Sequence, residues 1–412
     1  MPPTTSPRPR TIFVNRFFHP DHSATAQLLS DLALYVAGEG AAVVVVTSRL
    51  IYDDPQARLA AREQVGGVEV RRVATTRFGR DGVLGRAADL ASFYLSAGWA
   101  LLRLVRRGDV IVAKTDPPLL SLVAYVVARL KGARLINWLQ DIYPEVAAAL
   151  GVRVAGGPLG RLLAAWRDVT LRAALTNVVL GERMAARLRQ RGVPERQITV
   201  IPNWSDETQI QPVAHAANPL RTEWGLRDRF VVGYSGNLGR AHEFETMLGA
   251  ARALALDPRI VFLMIGGGHF SGPLKAAVDA AGLTNVMFKP YQPLSALAQS
   301  LCAADIHWVS LNPELEGLIV PSKVYGVLAA GRPVIAVTDV DGEIARLVAA
   351  HGCGAHVAPG DVEGFASAVL RLADDPSHAQ TLSQAARGAA EGEYSRTAAL
   401  ARWRKALDLG VS

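Results

Sequence analysis

"EGLIVPSKVYGVLAAGRPVI", residues 316–335, decides how the chain is read. An apolar run ends at a Pro-Ser turn, a helical stretch follows, and Gly-Arg-Pro opens the next apolar run. Strand, turn, helix and strand in that order build a parallel sheet, because a crossover helix is needed to bring the chain back in the same direction. Pro321 falls near the first helical turn, and Ser322 and Lys323 follow it. That places free N–H donors, a hydroxyl and a cation at a positive helix end, a combination suited to phosphate. The stretch carries no glycine fingerprint and no phosphate-loop signature, so the phosphate reading rests on these residues alone.

Outward from this stretch the alternation continues in both directions. "RTIFVNRFF", "AAVVVVTSR", "GDVIVAK", "ARLINWLQD" and "ALTNVVLG" read as buried strands, separated by helices over 24–38, 85–107, 119–131 and 158–174. The pattern then restarts with "RFVVGYSGN", "RIVFLMIGGG", "TNVMFKPY", "ADIHWVSLN" and "RPVIAVTD", spaced by helices over 242–255, 272–281, 293–304 and 321–330. Between the series lies "IPNWSDETQIQPVAHAANPLRTEWGL", polar and proline-bearing, which reads as a hinge. The expected fold is α/β, with two doubly wound, Rossmann-like parallel-sheet domains facing across a cleft. Its expected boundaries are 1–205 and 206–390, with a helical segment over 391–412 packing back on the first domain.

The chain has 412 residues, of which 50% are hydrophobic and 20% charged, so core material is ample and bulk disorder is excluded. Cys302 and Cys353 have no metal or redox spacing and point to a reducing compartment. The first ten residues, "MPPTTSPRPR", read as a loose polar tail and not as a signal peptide. Nearly uncharged apolar runs reach about 12 or 13 residues, where a membrane-spanning helix needs roughly 20. A cytoplasmic, non-spanning protein is expected.

Charge divides unevenly: residues 1–200 hold 27 Lys/Arg against 16 Asp/Glu, or +11, and residues 201–412 hold 17 against 21, or −4. An anionic partner for the front half follows. The basic residues are almost all Arg, spread along apolar segments and not packed in runs, which argues against nucleic acid. "FYLSAGWALLRLVRR" (93–107) and "GRLLAAWRDVTLR" (160–172) mix Trp, Leu and Arg, the composition of helices lying on an anionic bilayer. The competing reading is two amphipathic helices covering a sheet, with Arg stems over apolar surface.

Ligands of open parallel sheets lie beyond the carboxyl ends of the strands. In the rear half, "VVGYSGNLGRAHEFETML" offers Gly236 and Asn237 in a small-residue turn, followed by Arg240, able to fork onto diphosphate oxygens. "IGGGHF" supplies Gly267 in a turn that passes close to a ligand, although Ser271 breaks a dinucleotide fingerprint. Glu316 and Gly317 stand where a carboxylate accepts sugar hydroxyls. In the front half, "NWLQDIYPEVAAALG" ends a strand with Asp141, and Glu145 opens the next helix. Either carboxylate suits a base or a cation stabiliser, and either equally suits a helix cap. "HPDHSATAQLL" brings His22, Ser23 and Thr25 into the loop after the first strand, with Ser23 or Thr25 placed to cap the following helix. The triplet Asp339-Val340-Asp341 invites a metal, but its loop after "RPVIAV" argues against one, and no metal is expected.

"HPDHSATAQLL", "QDIYPE", "VIPNW", "YSGNLGR", "PSKVYGVLAAGRPVIAV" and "GEIARLV" together resemble the retaining GT-B glycosyltransferases of family 4. The likeness is to the branch of bacterial exopolysaccharide, colanic acid and O-antigen assembly, and it spans residues 12 to about 360. The resemblance implies a nucleotide-diphosphate sugar, uridine-based, held by the rear domain. It further implies a polyprenyl-diphosphate-linked acceptor held by the front domain, peripheral association with the inner leaflet of the plasma membrane, and no cofactor or obligatory metal. Gly236, Asn237, Arg240, Ser322 and Lys323 then hold the diphosphate. Glu316, Gly317, Leu318, Gly267 and Tyr291 face the donor sugar and nucleotide, and Asp141, with Glu145 second, serves the acceptor hydroxyl. His22, Ser23 and Thr25 line the acceptor loop. The chain departs from the family in two places: Gly326 stands where a ribose-binding glutamate is expected, and Ala241 and His242 stand where a cation often follows the Gly-Arg turn, a charge that Lys323 takes over. A nucleotide-sugar epimerase of the same fold, or a non-catalytic nucleotide- or lipid-binding protein, are the alternatives.

Overall fold

The computed structural model of the chain describes residues 9–52, 54, 56–78 and 82–408, so most of the proline-rich tail and the last four residues lie outside the description. The chain divides into two compact units: Met1–Ile201 together with Leu400–Ser412, and Pro202–Ala399.

The first unit is built on eight strands: β1 (Thr11–Val14), β2 (Val43–Ser48), β3 (Arg62–Val65), β4 (Val68–Val73), β5 (Val110–Lys114), β6 (Arg134–Trp138), β7 (Thr176–Val179) and β8 (Ile198–Val200). They lie in the order β3-β4-β2-β1-β5-β6-β7-β8. All neighbours are parallel except β3 and β4. β1, β2, β5, β6 and β7 are the five expected apolar runs, buried on both faces because helices cover both. The β3–β4 hairpin escaped the reading: β3 is mostly exposed and β4 alternates buried and half-buried residues, so neither shows a continuous apolar run. Its turn is Gly66-Gly67, at φ +54° and +85°, the left-handed pair that a two-residue hairpin demands. β8 was missed for a similar reason, being three half-buried residues.

Ile12, Val14, Val44, Val46, Ile111 and Ala113 form the sheet side of this unit's core; Phe93, Ala97 and Leu101 close it from the helix Val83–Leu104, and Leu120, Ala124 and Val127 from the helix Leu120–Lys131. The helix Arg396–Asp408 contributes Trp403, fully buried with its ring centroid 4.6 Å from that of Trp138.

The second unit holds β9 (Phe230–Asn237), β10 (Ile260–Gly267), β11 (Val286–Lys289), β12 (Ile306–Ser310), β13 (Val334–Val337) and β14 (Gly354–Val357), in the order β11-β10-β9-β12-β13-β14. All of its ladders are parallel. β14 was not anticipated, since "GAHV" is short and mostly half-buried. The stretch read as a helix over 293–304 is a 3-10 turn, Leu294–Ala296, running into a five-residue helix, Leu297–Leu301. The helix of the deciding stretch is also shorter than expected, seven residues from Lys323 to Ala329.

Both strand orders reverse at one point. The chain leaves β1 toward β2 and returns to its other side at β5; it leaves β9 toward β10 and returns at β12. Loops beyond the carboxyl ends part in opposite directions at such a switch and leave a crevice there.

Candidate active site

In the second unit the switch point lies between β9 and β12. Gly236, Gly266 and Gly268 adopt φ of +125°, +124° and +125°. A Cβ on Gly266 would lie 2.4 Å from the Gly236 carbonyl oxygen, and one on Gly268 would lie 2.2 Å from Asn237 Oδ1. The ends of β9 and β10 therefore meet backbone to backbone, which only glycine permits. Beside them opens a pocket of about 310 Å³ lined by Tyr234, Gly236, Gly266, Gly267, Lys275 and Pro290, among others. The exposed ring of Tyr291 lies against Gly266 and Gly267.

Arg240 stands exposed on the turn after β9, and its guanidinium makes no hydrogen bond or ion pair with the other described residues. Asn312, just past β12, donates from Nδ2 to the Arg240 carbonyl at 3.1 Å and from its backbone N–H to the Ala241 carbonyl at 2.9 Å. The two switch-point loops are thus tied together, and the helix expected at 242 begins only at Glu245.

Lys323 reaches this turn from the far side. Its ammonium donates to the Tyr234 hydroxyl, to His242 Nε2 at 3.0 Å and to the Asn237 carbonyl at 3.3 Å. It also lies 4.1 Å from the Tyr234 ring centroid, within cation–π range. Part of the side chain stays open to solvent, but the ammonium is enclosed, and burial pushes its pKa down to about 7. Burial, and then the Lys323 charge, push His242 down to about 3. Ser322 is exposed at the N-cap position, and its side chain makes no capping bond. With so short a helix behind it, the cation rather than a helix dipole supplies the positive charge.

Glu316 is 2% exposed and turns toward the helix Glu343–His351: the Glu343 N–H lies 3.4 Å from Oε2, and a Cβ on Gly342 would lie 2.3 Å from Oε1. Gly317 is left-handed, at φ +73°, and Leu318 is buried. Gly326 is half-buried, and a Cβ there would make ordinary contacts, 3.6 Å from Leu301 and 3.9 Å from Ser205. Asp339 accepts from the Asp341 N–H at 2.9 Å, and Asp341 pairs with Arg346. Among the described residues no group of three or more His, Cys, Asp or Glu could hold a metal ion.

In the first unit the switch point lies between β1 and β5. Asp141 stands three residues beyond β6, and Asp116, which the sequence reading missed, two beyond β5; the strands end in register, Lys114 opposite Trp138. Thr115 Oγ1 accepts from the Gln140 N–H at 3.1 Å and joins the two loops. Thr25 closes the group: its hydroxyl lies 3.4 Å from Asp116 Oδ2, and its carbonyl accepts from the buried Lys114 ammonium at 2.8 Å. The same ammonium lies 3.7 Å from the Trp138 ring centroid.

Burial pushes Asp141 up to about 7, helped by the Asp116 charge and opposed by Lys114. Burial pushes Asp116 up to about 6 against Arg16, Lys114 and the Thr25 hydroxyl. Burial holds Lys114 well below its ordinary range, with both carboxylates opposing. The two acids titrate as a coupled set near neutrality, the condition a proton-accepting site requires. The signal for Asp116 was present in "AKTDPP": a carboxylate at a strand's carboxyl end, the same cue that singled out Asp141.

The other front-half candidates lie apart from this set. Glu145 is engaged by Arg167 through two hydrogen bonds and by Arg191 through a third at 3.1 Å. His22 is exposed, and its carbonyl accepts from Gln27. Ser23 holds the N-cap position of the helix Ala24–Gly38 without a side-chain capping bond; Asp21 instead accepts from the Ser23 and Tyr52 N–H groups. Neither hydroxyl expected to cap that helix does so.

Comparison with known proteins adds to this geometry. The family profile described as "Glycosyl transferase 4-like domain" matches residues 24–204, and "Glycosyl transferases group 1" matches residues 219–389. The chain is 26% identical over 376 residues to a protein of Escherichia coli strain K12 named as a colanic acid biosynthesis glycosyl transferase, WcaI, covering 88% of this chain and 91% of that one. It is 29% identical over 272 residues to a Pseudomonas aeruginosa protein named as a glycosyltransferase, WbjE, covering 66% of each. Among solved structures, Anabaena Alr3699/HepE in complex with UDP-glucose superposes with a TM-score of 0.72 at 16% identity, covering 97% of this chain and 99% of that one.

Proposed function

The chain belongs to the GT-B glycosyltransferases of family 4 that build bacterial surface polysaccharide, and we propose that it moves a sugar, with retention, from a UDP-sugar to a polyprenyl-diphosphate-linked saccharide. The observation that carries the donor half is the reach of Lys323 to the Gly236-Asn237 turn, with the exposed Arg240 three residues further on, beside a pocket of about 310 Å³. A retained anomeric configuration requires the diphosphate to leave on the face where the acceptor arrives. The transition state there is a sugar cation beside a departing anion. Lys323 and Arg240 stabilise that anion electrostatically, and no obligatory metal is needed for the purpose. The pocket takes the nucleoside, with Tyr291 and the Gly266-Gly267 backbone along one wall. The sugar lies toward Gly317 and Leu318, while Glu316, which holds the start of a neighbouring helix, shapes that wall from behind.

The acceptor hydroxyl belongs at Asp141. With Asp116 and Lys114 beside it, Asp141 either takes the hydroxyl proton or orients the hydroxyl while the departing phosphate takes that proton. Glu145, committed to Arg167, supports the fold of this region.

The lipid-linked acceptor calls for a membrane surface. Leu95 and Trp99 are exposed on the helix Val83–Leu104, Val126 and Leu130 on the helix Leu120–Lys131, and Leu162 and Trp166 on the helix Pro158–Ala173. Arg103 stacks 4.2 Å from the Trp99 ring centroid, and Arg129, Arg161 and Arg172 are exposed on the same helices. Exposed Trp and Leu among Arg fit an anionic bilayer interface, and no helix of the described residues is long and apolar enough to cross a membrane.

The deciding experiment incubates the protein with a panel of nucleotide sugars and a defined polyprenyl-diphosphate-linked sugar, with products read by mass spectrometry and anomeric NMR. The proposal expects a lipid product one sugar heavier, with the donor's anomeric configuration. Epimerised nucleotide sugar formed without lipid would replace this reading with an epimerase.

A further inference from the structure

A lysine ammonium has three hydrogens, and that of Lys323 has three neutral acceptors: the Tyr234 hydroxyl, His242 Nε2 at 3.0 Å and the Asn237 carbonyl at 3.3 Å. The acceptors are not equivalent. Tyr234 donates its own proton to the Asn237 carbonyl at 2.9 Å, so its oxygen receives Lys323 on a lone pair. His242 Nδ1 lies 2.7 Å from the Ser310 carbonyl oxygen. A carbonyl only accepts, so Nδ1 carries the proton and Nε2 is a bare acceptor. Ser310 is buried at the end of β12. The imidazole therefore hangs from the sheet, oriented independently of the lysine it holds.

Asn237 offers the weakest of the three bonds, the longest, to a carbonyl already engaged by Tyr234. It also directly follows Gly236, which lines the pocket and where an added Cβ would lie 3.8 Å from Lys323 Cε. We infer that His242 is a positioning residue of the diphosphate subsite: with Tyr234 it anchors two hydrogens of the Lys323 ammonium and leaves the third, on the long bond to Asn237, to turn to a diphosphate. This rests on the donor reading given above and assigns a role to a residue that stands where a second cation was expected. A neutral imidazole supplies aim in place of charge. A protonated His242 would repel Lys323 and surrender the acceptor. The imidazole is kept neutral by its burial and then by the Lys323 ammonium, with the Ser310 carbonyl opposing.

Two measurements test the assignment. Long-range proton–nitrogen NMR of the full chain, with the His242 signals identified by their loss in His242→Gln, is expected to show the neutral Nδ1–H tautomer from about pH 8 to about pH 5. An Nε2–H tautomer, or titration near the ordinary histidine value of about 6.5, overturns the inference without any nucleotide. Calorimetry with UDP, GDP, ADP and dTDP then uses whichever nucleotide the wild type takes. His242→Phe, which has no acceptor, is expected to weaken binding about tenfold, the scale of one charge-assisted bond, and His242→Gln less than about threefold. The pair His242→Phe/Lys323→Met is expected to bind no more weakly than Lys323→Met alone. Equal losses in the Phe and Gln variants, or losses that add to that of Lys323→Met, overturn the positioning role. Binding of none of the four nucleotides by the wild type would instead defeat the donor reading, and the NMR result would still decide the state of His242.

Discussion

Glu145 and Arg167 meet as a two-pronged ion pair, Nη1 on Oε2 and Nη2 on Oε1, each at 2.8 Å. The guanidinium is 4% exposed and also engages Asp168, while the carboxylate is about one third exposed. Removing Glu145 leaves a buried cation short of one partner, softened by Asp168 and by solvent on the Glu145 side. Glu145→Ala is therefore expected to lower stability by about 1–2 kcal/mol. Turnover of the folded protein should change less than about twofold. Urea unfolding and a steady-state assay of the same preparation separate the two effects; intact stability with lost turnover would return Glu145 to the chemistry.

Asp141 gives the opposite pattern. Its folded pKa lies above its unfolded value, so the native state binds the proton more tightly, and stability falls as pH rises between about 4 and about 7. Asp141→Asn removes that penalty. The variant should melt at the wild-type temperature near pH 4 and several degrees higher at pH 8, a difference of at least about 1 kcal/mol. Its turnover should nonetheless fall about a hundredfold if Asp141 is the base, or about tenfold if it orients. An unchanged melting difference across that pH range would contradict the burial assigned to this carboxylate.

Gly326 lies half-buried in the middle of the helix Lys323–Ala329. A Cβ there makes only ordinary contacts, and replacing a mid-helix glycine recovers up to about 1 kcal/mol of helix propensity. Gly326→Glu is expected to fold with equal or better stability and to bind nucleoside diphosphate several-fold more tightly than its 2′,3′-dideoxy analogue. A lower melting temperature, or no gain in discrimination between the two ligands, would remove ribose recognition from this position.

Arg240 is exposed, and its guanidinium bonds to none of the other described residues. Arg240→Ala should leave the melting temperature unchanged and lower turnover at least about tenfold, as expected of one lost charge-assisted contact. Wild-type turnover in this variant would place the diphosphate elsewhere.

Trp99 and Trp166 are 57% and 60% exposed on two helices that each pack against the helix Leu120–Lys131. The double variant Trp99→Ser/Trp166→Ser is expected to lose flotation with liposomes of mixed neutral and anionic phospholipid while keeping its nucleotide affinity. Flotation of the wild type should weaken between about 0.05 and 0.5 M salt as the Arg contribution is screened. Wild-type protein that stays unbound at low salt would defeat the membrane reading.

The parts of the fold legible in the sequence are those that repeat locally. Strands such as β2, "VVVVTS", declare themselves because burial on both faces leaves an unbroken apolar run; β3, exposed at a sheet edge, has no such signature. The same division holds in the site. Arg240 and Lys323 were visible because each follows a short turn in its own segment. Asp116 carried the same local cue as Asp141, but its membership of one cluster with Asp141 comes from the register of β5 with β6, a pairing between residues more than twenty positions apart. Glu145 looked like a catalytic acid because its partner Arg167 is 22 residues away. His242 was noticed for the charge it lacks; only the distances to Ser310 and Lys323 reveal what it supplies.

Trp403 belongs to the core of the first unit, yet it follows nearly two hundred residues of the second in the chain. A ribosome makes the polypeptide in one direction, so Trp138 waits for its aromatic partner until β9 to β14 have all been translated. Lys114, whose ammonium rests on the Trp138 ring, waits with it. The cluster around Lys114 can therefore be finished only after the whole second unit has been translated.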